Sequence, residues 1–347
     1  MFAVALFLLL LQIEGCYYLQ AIRGHTDLMS RRRPMTEVIA DNGSSEELKR
    51  RLALVIEARD FAVADLLLPD NDSYRSYADL ERDYVVWNVF AAPEFDLTPK
   101  TWCYPVAGCV AYRGYFDQAS ARDQANKLSE KGFDVSVGGV SAYSTLGRFS
   151  DPVLNTMMRW SDVELVSTIF HELAHQKLYV KGDSAFNESF ATAVAEIGLG
   201  RWLAARDESD LLATHDDRRR IRRSMMELVA PAREELAALY DQDMDAQDMR
   251  EQKAAILMEL SASAQALVDA SEVSVSNWLA APLNNARLVS LNLYEGRLNA
   301  FNVIAENCLQ ELACFYAESE ELAGLTREER SKRLDELAHQ SALTVRD

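Results

Sequence analysis

Glycine and proline are scarce in this chain, 14 and 8 of 347 residues, which leaves little room for long flexible linkers. There is no low-complexity tract and no repeat with a period of roughly 20 to 50 residues, which excludes solenoid and propeller arrays. Basic residues are outnumbered, with 36 Lys and Arg against 54 Asp and Glu. The resulting net charge of -18 excludes a nucleic-acid partner, because phosphate binding needs a basic surface. The apolar run at the N-terminus, Met1 to Ile13, is too short to cross a bilayer comfortably as a mature helix. Cysteines number only five, too few for a disulfide-built scaffold in a chain of this length.

The remaining composition is that of a folded protein. Hydrophobic residues make up 49% and charged residues 26%, enough for a large core in one big domain or two ordinary ones. The N-terminal apolar run has the length of the hydrophobic part of a secretory signal. It ends in Glu14-Gly15-Cys16. A small residue followed by cysteine resembles the bacterial lipoprotein signal, in which the cysteine becomes lipid-modified and N-terminal. Two features depart from that pattern: no Lys or Arg precedes the run, and Glu14 stands where a small or apolar residue is usual. The other reading is a buried N-terminal helix.

Export would set the redox context of Cys103, Cys109, Cys308 and Cys314. Cys103 and Cys109 flank Tyr-Pro-Val-Ala-Gly, a turn sequence, so a local disulfide is expected in an oxidising compartment. Cys308 and Cys314 fall in a helical pattern, where six residues rise about 9 Å. That exceeds the roughly 7 Å between bridged Cα atoms, so these two are not expected to pair. In a reducing compartment all four would be core residues.

The first half reads as α+β. A polar segment to about Ser45, with the basic run Arg31-Arg32-Arg33, reads as a tether with some helical character. Residues 44–67 carry apolar positions at three- and four-residue spacing, which makes a helix. Residues 84–92 are β-branched and aromatic, residues 102–116 read as a hairpin pair, and 133–143 alternate as a strand. Between them, residues 118–132 form a helix ended by Gly132. The second half is helical. No glycine occurs between Gly200 and Gly296, and roughly 207–275 reads as a charged helical hairpin. A last helix pair is expected at about 284–318 and 325–340.

Chemistry concentrates between Phe170 and Ala191. His171-Glu172-Leu173-Ala174-His175 is H-E-x-x-H, on a helix introduced by the capping box Ser161-x-x-Glu164. Residues four apart share a helix face, so the two imidazoles can reach one Zn²⁺ at about 2.1 Å. Glu172, beside the first of them, is placed to act as a general base toward water. A third ligand is needed, and Glu188 in Asn187-Glu188-Ser189-Phe190-Ala191 can return to the histidine face if Gly182-Asp183 forms a turn. Asp183 is the alternative ligand, though it is expected in the turn. Asn187 and Thr192 are candidates for supporting the ligands. The competing reading is a helix whose histidines are merely core or surface residues.

These segments resemble the gluzincin metallopeptidases, in which two histidines and a glutamate bind zinc, although only twelve residues separate His175 from Glu188. The closer likeness is to a bacterial family of predicted aminopeptidases, carried by blocks 98–116, 138–154, 170–192 and 284–301. The resemblance implies metal ligands His171, His175 and Glu188, Glu172 as base, and Zn²⁺-dependent hydrolysis of a peptide substrate. It implies a zincin-like helix pair within a predominantly helical α+β fold. An oxyanion donor is expected from a tyrosine, Tyr294 first, with Tyr179 and Tyr143 as alternatives. The edge of Val137 to Tyr143 is the expected binding strand for a peptide. The chain is thus expected as a signal segment 1–16, a tether 17–45, and one metallopeptidase domain 46–347 with the hairpin at about 207–275. It would sit on the periplasmic side of a bacterial envelope, with a lipid anchor at Cys16. A non-peptidase zinc hydrolase and an inactive envelope scaffold with a zinc site are the other readings.

Overall fold

Serine at position 45 stops one chain direction and starts another. Its side chain accepts from the Leu48 backbone N–H, and Glu46 and Glu47 sit in the first turn, where carboxylates complement the helix dipole. The helix that follows, α3 (Glu46–Ala64), buries Leu52, Val55, Ala58 and Ala62. In the computed structural model, residues 17–104, 108–208, 210–271, 281–295 and 297–344 are described, with the backbone alone at 212–219, 222, 292–295 and 339–344. The signal-like segment with Cys16 lies outside the described residues. Among those described, no helix is long and apolar enough to cross a membrane.

The segment 17–45 is folded where a tether was expected. It forms helix α1 (17–30), strand β1 (Arg32–Pro34) and helix α2 (Met35–Ala40). Leu28, Met35 and Val38 belong to the main core. Its polarity is that of one solvated face, and the few apolar residues facing inward are enough to dock it.

Three small sheets follow. β1, β2 (Ser76–Ala78) and β8 (Val153–Leu154) make the first, antiparallel then parallel. The second has β3 (Val86–Pro93) between β6 (Tyr112–Tyr115) and β7 (Phe133–Val140), both antiparallel. β3 reads as an almost continuous buried run because both its faces are covered. Val89 and Ala91 pack on helix α4 (Gln118–Ser129), while helix α9 (Asn285–Glu295) also contacts the strand. β4 (Trp102–Tyr104) and β5 (Gly108–Val110) form a hairpin that pairs Cys103 with Cys109, bridged by a disulfide.

The rest is helical: α5 (Asp162–Lys177), α6 (Ser184–Ala205), the long hairpin α7 (Asp210–Tyr240) and α8 (Ala246–Asp269), then α9, α10 (Leu298–Asn307), α11 (Leu312–Gly324) and α12 (Arg327–Thr344). The fold is predominantly helical α+β, with the long hairpin in the expected place. The C-terminal part holds four helices instead of the expected pair. One break falls at Cys308–Glu311, where Leu309 and Gln310 take φ of 51° and 64°. That break also overturns the expectation for the last two cysteines. Cys308 and Cys314 are not on one helix; the left-handed turn brings their Cα atoms to 5.6 Å, and they form a disulfide.

The C-terminal helices join the main core through Phe301, Phe315 and Tyr316, and one arginine adds a polar tie to the turn before α6. Arg330 of α12, 4% exposed, donates to the Asp183 carboxylate at 2.9 Å and to the Leu325 carbonyl at 2.8 Å. Asp183 is the N-cap of α6. Removing the guanidinium leaves a largely buried carboxylate without its partner. Arg330→Ala is therefore expected to lower stability by about 3 kcal/mol, read as a lower urea midpoint; an unchanged midpoint would show that the pair contributes nothing.

Candidate metal centre

The rotation of α5 is set before its histidines matter. The capping box is complete: Ser161 N–H donates to Glu164 Oε2 at 2.9 Å, and Glu164 N–H donates to Ser161 Oγ at 3.2 Å. Leu165, Val166, Ile169, Phe170 and Leu173 are buried, which turns His171 and His175 together toward α6. The two helices pack closely against each other.

The connection between them is only six residues, 178–183, and its backbone is held by side chains. Asn187 Nδ2 donates to the Val180 carbonyl at 2.8 Å, and its Oδ1 accepts from Val180 N–H at 2.7 Å. Asp183 accepts from Phe186 N–H at 3.2 Å. Gly182 has φ of 81°, a conformation costly for any residue with a Cβ. The β4–β5 hairpin presses on this turn: a Cβ on Gly108 would stand 2.7 Å from the Gly182 backbone nitrogen. Asn187 and Asp183 thus support the turn, and Asp183 is no ligand. No side-chain hydrogen bond of Thr192 is found among the described residues.

This frame brings His171, His175 and Glu188 together, their ligand atoms all within 4.8 Å of one another. Nε2 to Nε2 is 3.1 Å, His171 Nε2 to Glu188 Oε2 is 3.3 Å, and His175 Nε2 to Glu188 Oε1 is 3.7 Å. A tetrahedral ion with bonds of about 2.1 Å holds its ligand atoms about 3.4 Å apart, so the triangle has the size a small divalent metal requires. The protonation states fit as well. Burial, with His171 adding to it and Glu188 opposing, lowers His175 to about 4, so it is neutral near pH 7. Burial alone would push Glu188 up, but the His171 hydrogen bond and the charges of His175 and His171 more than offset it. A neutral imidazole and an ionised carboxylate are the metal-binding forms.

Glu172 is pushed up to about 7. Burial dominates; the His171 charge opposes it, Glu188 and Asp151 add to it, and a hydrogen bond with Ser144 opposes it again. Ser144, in the loop after β7, was not singled out from the sequence, since nothing in its local pattern marks it. The tyrosines sort differently from expectation. Tyr143 faces α1, its hydroxyl 3.3 Å from His25 Nδ1. The side chain of Tyr294 lies outside the described residues. Tyr179 stacks edge-on to His175 at 6.4 Å between centroids. Tyr112 of β6 is the residue the sequence hid among three similar tyrosines of the hairpin region. Its hydroxyl is pushed above the ordinary tyrosine range by burial and then by Glu188, Tyr179 and Glu172, the charged groups of this site.

β7 stands at the edge of its sheet. Val135 carbonyl accepts from Asn284 and Val140 carbonyl from Val85. By the alternation of an antiparallel strand, Val137 and Gly139 turn their backbone groups away from β3, to an edge that no other strand pairs among the described residues. Gly139 is also required for packing, since a Cβ there would meet the Tyr84 ring at 2.4 Å.

No match among curated proteins or solved structures reaches significance. The profile of the family described as "Putative aminopeptidase" matches residues 16–334, a span that includes α1, the edge strand, the histidine–glutamate triangle and the start of α12. The chain belongs to this aminopeptidase family.

Proposed function

We propose that the protein is a zinc-dependent aminopeptidase, with His171, His175 and Glu188 as metal ligands and Glu172 as general base. The observation that carries this reading is the triangle of ligand atoms at 3.1, 3.3 and 3.7 Å, with the Glu172 carboxyl enclosed beside it. Family membership supports a peptide substrate. Bound zinc supplies Lewis acidity toward a peptide carbonyl and toward water.

The chain's own residues do the rest. Glu172 takes a proton from the attacking water and returns it to the leaving amine. Ser144 orients that carboxylate through its hydrogen bond. Tyr112 donates to the oxyanion, with Tyr179 as the second hydroxyl at the site. The peptide backbone pairs with Val137 and Gly139 on the open edge of β7. The apolar N-terminal run and Gly15-Cys16 support a bacterial envelope location, facing the periplasm with a lipid on Cys16. A periplasmic location would suit both disulfides.

Digestion of a peptide library, read by mass spectrometry, is expected to release single N-terminal residues; internal cuts would overturn the aminopeptidase reading. Glu172→Gln is expected to retain zinc and lose kcat by about 10³-fold, while wild-type turnover in that variant would remove Glu172 from the mechanism. The same variant reports on burial. A carboxyl whose folded pKa is raised from 4.5 to about 7 favours the protonated folded state, so wild-type metal-free protein loses stability as pH rises through that interval. Glu172→Gln does not titrate, and is expected to be more stable than wild type above pH 7 by on the order of 2–3 kcal/mol. The difference disappears below about pH 4; thermal melts with a chelator measure it. Tyr112→Phe is expected to lower kcat by about 10²-fold with little change in KM, and an unchanged kcat would pass the role to Tyr179.

A further inference from the structure

Helix α1 has an outward side that its surroundings do not explain. Its inward side is fully engaged. Tyr17 packs on Tyr115 and bonds the Tyr104 hydroxyl, Gln20 accepts from Phe116 N–H, and Leu28 is completely buried. On the opposite side, within two turns, Tyr18, Leu19 and Ile22 are 41%, 48% and 62% exposed. Phe149, 53% exposed, stacks on His25 of the same helix at 4.7 Å and extends the apolar surface. The other large exposed apolar side chains lie elsewhere in the chain, on separate elements.

The charges around this patch run against the rest of the molecule. In a chain of net charge -18, exposed Arg23, Arg32 and Arg148 make no salt bridge among the described residues, and Arg32 acts on buried Asp151 only from a distance. Arg32 instead bonds the Met29 and Ser150 carbonyls, which ties the end of α1 to the loop carrying Phe149. The carboxylate of Asp27, on the same helix, is bound by Arg31. An apolar patch flanked by unpaired arginines has the character of a surface that lies in a membrane interface and attracts anionic lipid.

The chain outside the described residues leads to the same place. Only Glu14, Gly15 and Cys16 separate the apolar run from Tyr17. Extended, that stretch reaches at most about 15 Å. A bilayer holding residues 1–13, or a lipid carried on Cys16, is therefore within that distance of α1.

We propose that the outward side of α1, with Phe149, is a membrane-docking surface that rests in the headgroup region of an anionic phospholipid bilayer. This rests on the envelope reading above and adds to it. The protein is laid against the bilayer and not suspended from it on a flexible tether. The docked loop also carries Ser144, so the same contact fixes how the metal centre faces the membrane.

Hydrogen exchange of the full chain tests this, with vesicles of phosphatidylcholine alone or mixed with phosphatidylglycerol. On the mixed vesicles, amides in 17–30 and 145–150 are expected to exchange more slowly than in the free chain, and less so on phosphatidylcholine alone. The full-chain variant Y18S/L19S/I22S/F149S is expected to stay vesicle-bound through residues 1–16 and to lose that protection. R23E/R148E is expected to lose the difference between the two vesicles. A vesicle-bound chain with unprotected α1, or equal protection in the serine variant, overturns the docking surface while leaving the anchor standing. A chain that binds neither vesicle overturns both.

Discussion

Everything at the candidate centre depends on how closely α5 and α6 are joined. Two antiparallel helices bring residues thirteen positions apart, His175 and Glu188, into contact only if the turn between them is short and rigid. Asn187 makes it rigid by bonding both the N–H and the carbonyl of Val180. Gly182 allows the left-handed step, and Asp183 caps the returning helix while held by Arg330 from the far end of the chain. The disulfide-closed hairpin leans on the same turn through Gly108. Separate parts of the sequence thus converge on six residues that contain none of the three metal-ligand candidates.

Burial at this junction has opposite effects on neighbouring groups, and that is its chemical use. Low dielectric disfavours charge, so His175 stays neutral and Glu172 is held near neutrality. Glu188 resists the same burial because two imidazoles face it. One desolvated pocket therefore yields a neutral imidazole, an ionised carboxylate and a carboxyl able to exchange a proton near pH 7. The cost falls on stability, since an enclosed carboxylate favours the protonated folded state.

The long hairpin is fastened to the sheet near its turn by a polar network. Lys253 of α8 donates to Asp134 at 2.6 Å and to the Glu94 carbonyl at 2.8 Å. Asn285, completely buried, bonds the carbonyls of Pro93, Glu94 and Asp96 and accepts from Tyr240. These bonds close the ends of β3 and begin α9, which also covers part of the β7 edge through Asn284. The open part of that edge is the half that leads into Ser144 and the centre.

The sequence by itself determined what depends on short spacing. H-E-x-x-H on a capped helix places two imidazoles one turn apart whatever surrounds them, and the helical hairpin follows from periodicity over many residues. Glu188 was also legible, because Gly182-Asp183 marks a turn and the return is short. Tertiary structure decided the rest, where the relevant neighbour is distant in the chain. Ser144 bonds Glu172 from a loop, and Tyr112 feels the charges of Glu188 and Glu172 from a strand; the local patterns of both segments resemble many others. The pairing of Cys308 with Cys314 required a left-handed break at Leu309 and Gln310, which non-glycine residues adopt only when packing compels it. The fold of 17–45 turned on three inward apolar residues, Leu28, Met35 and Val38, whose burial depends on a core built by helices far along the chain.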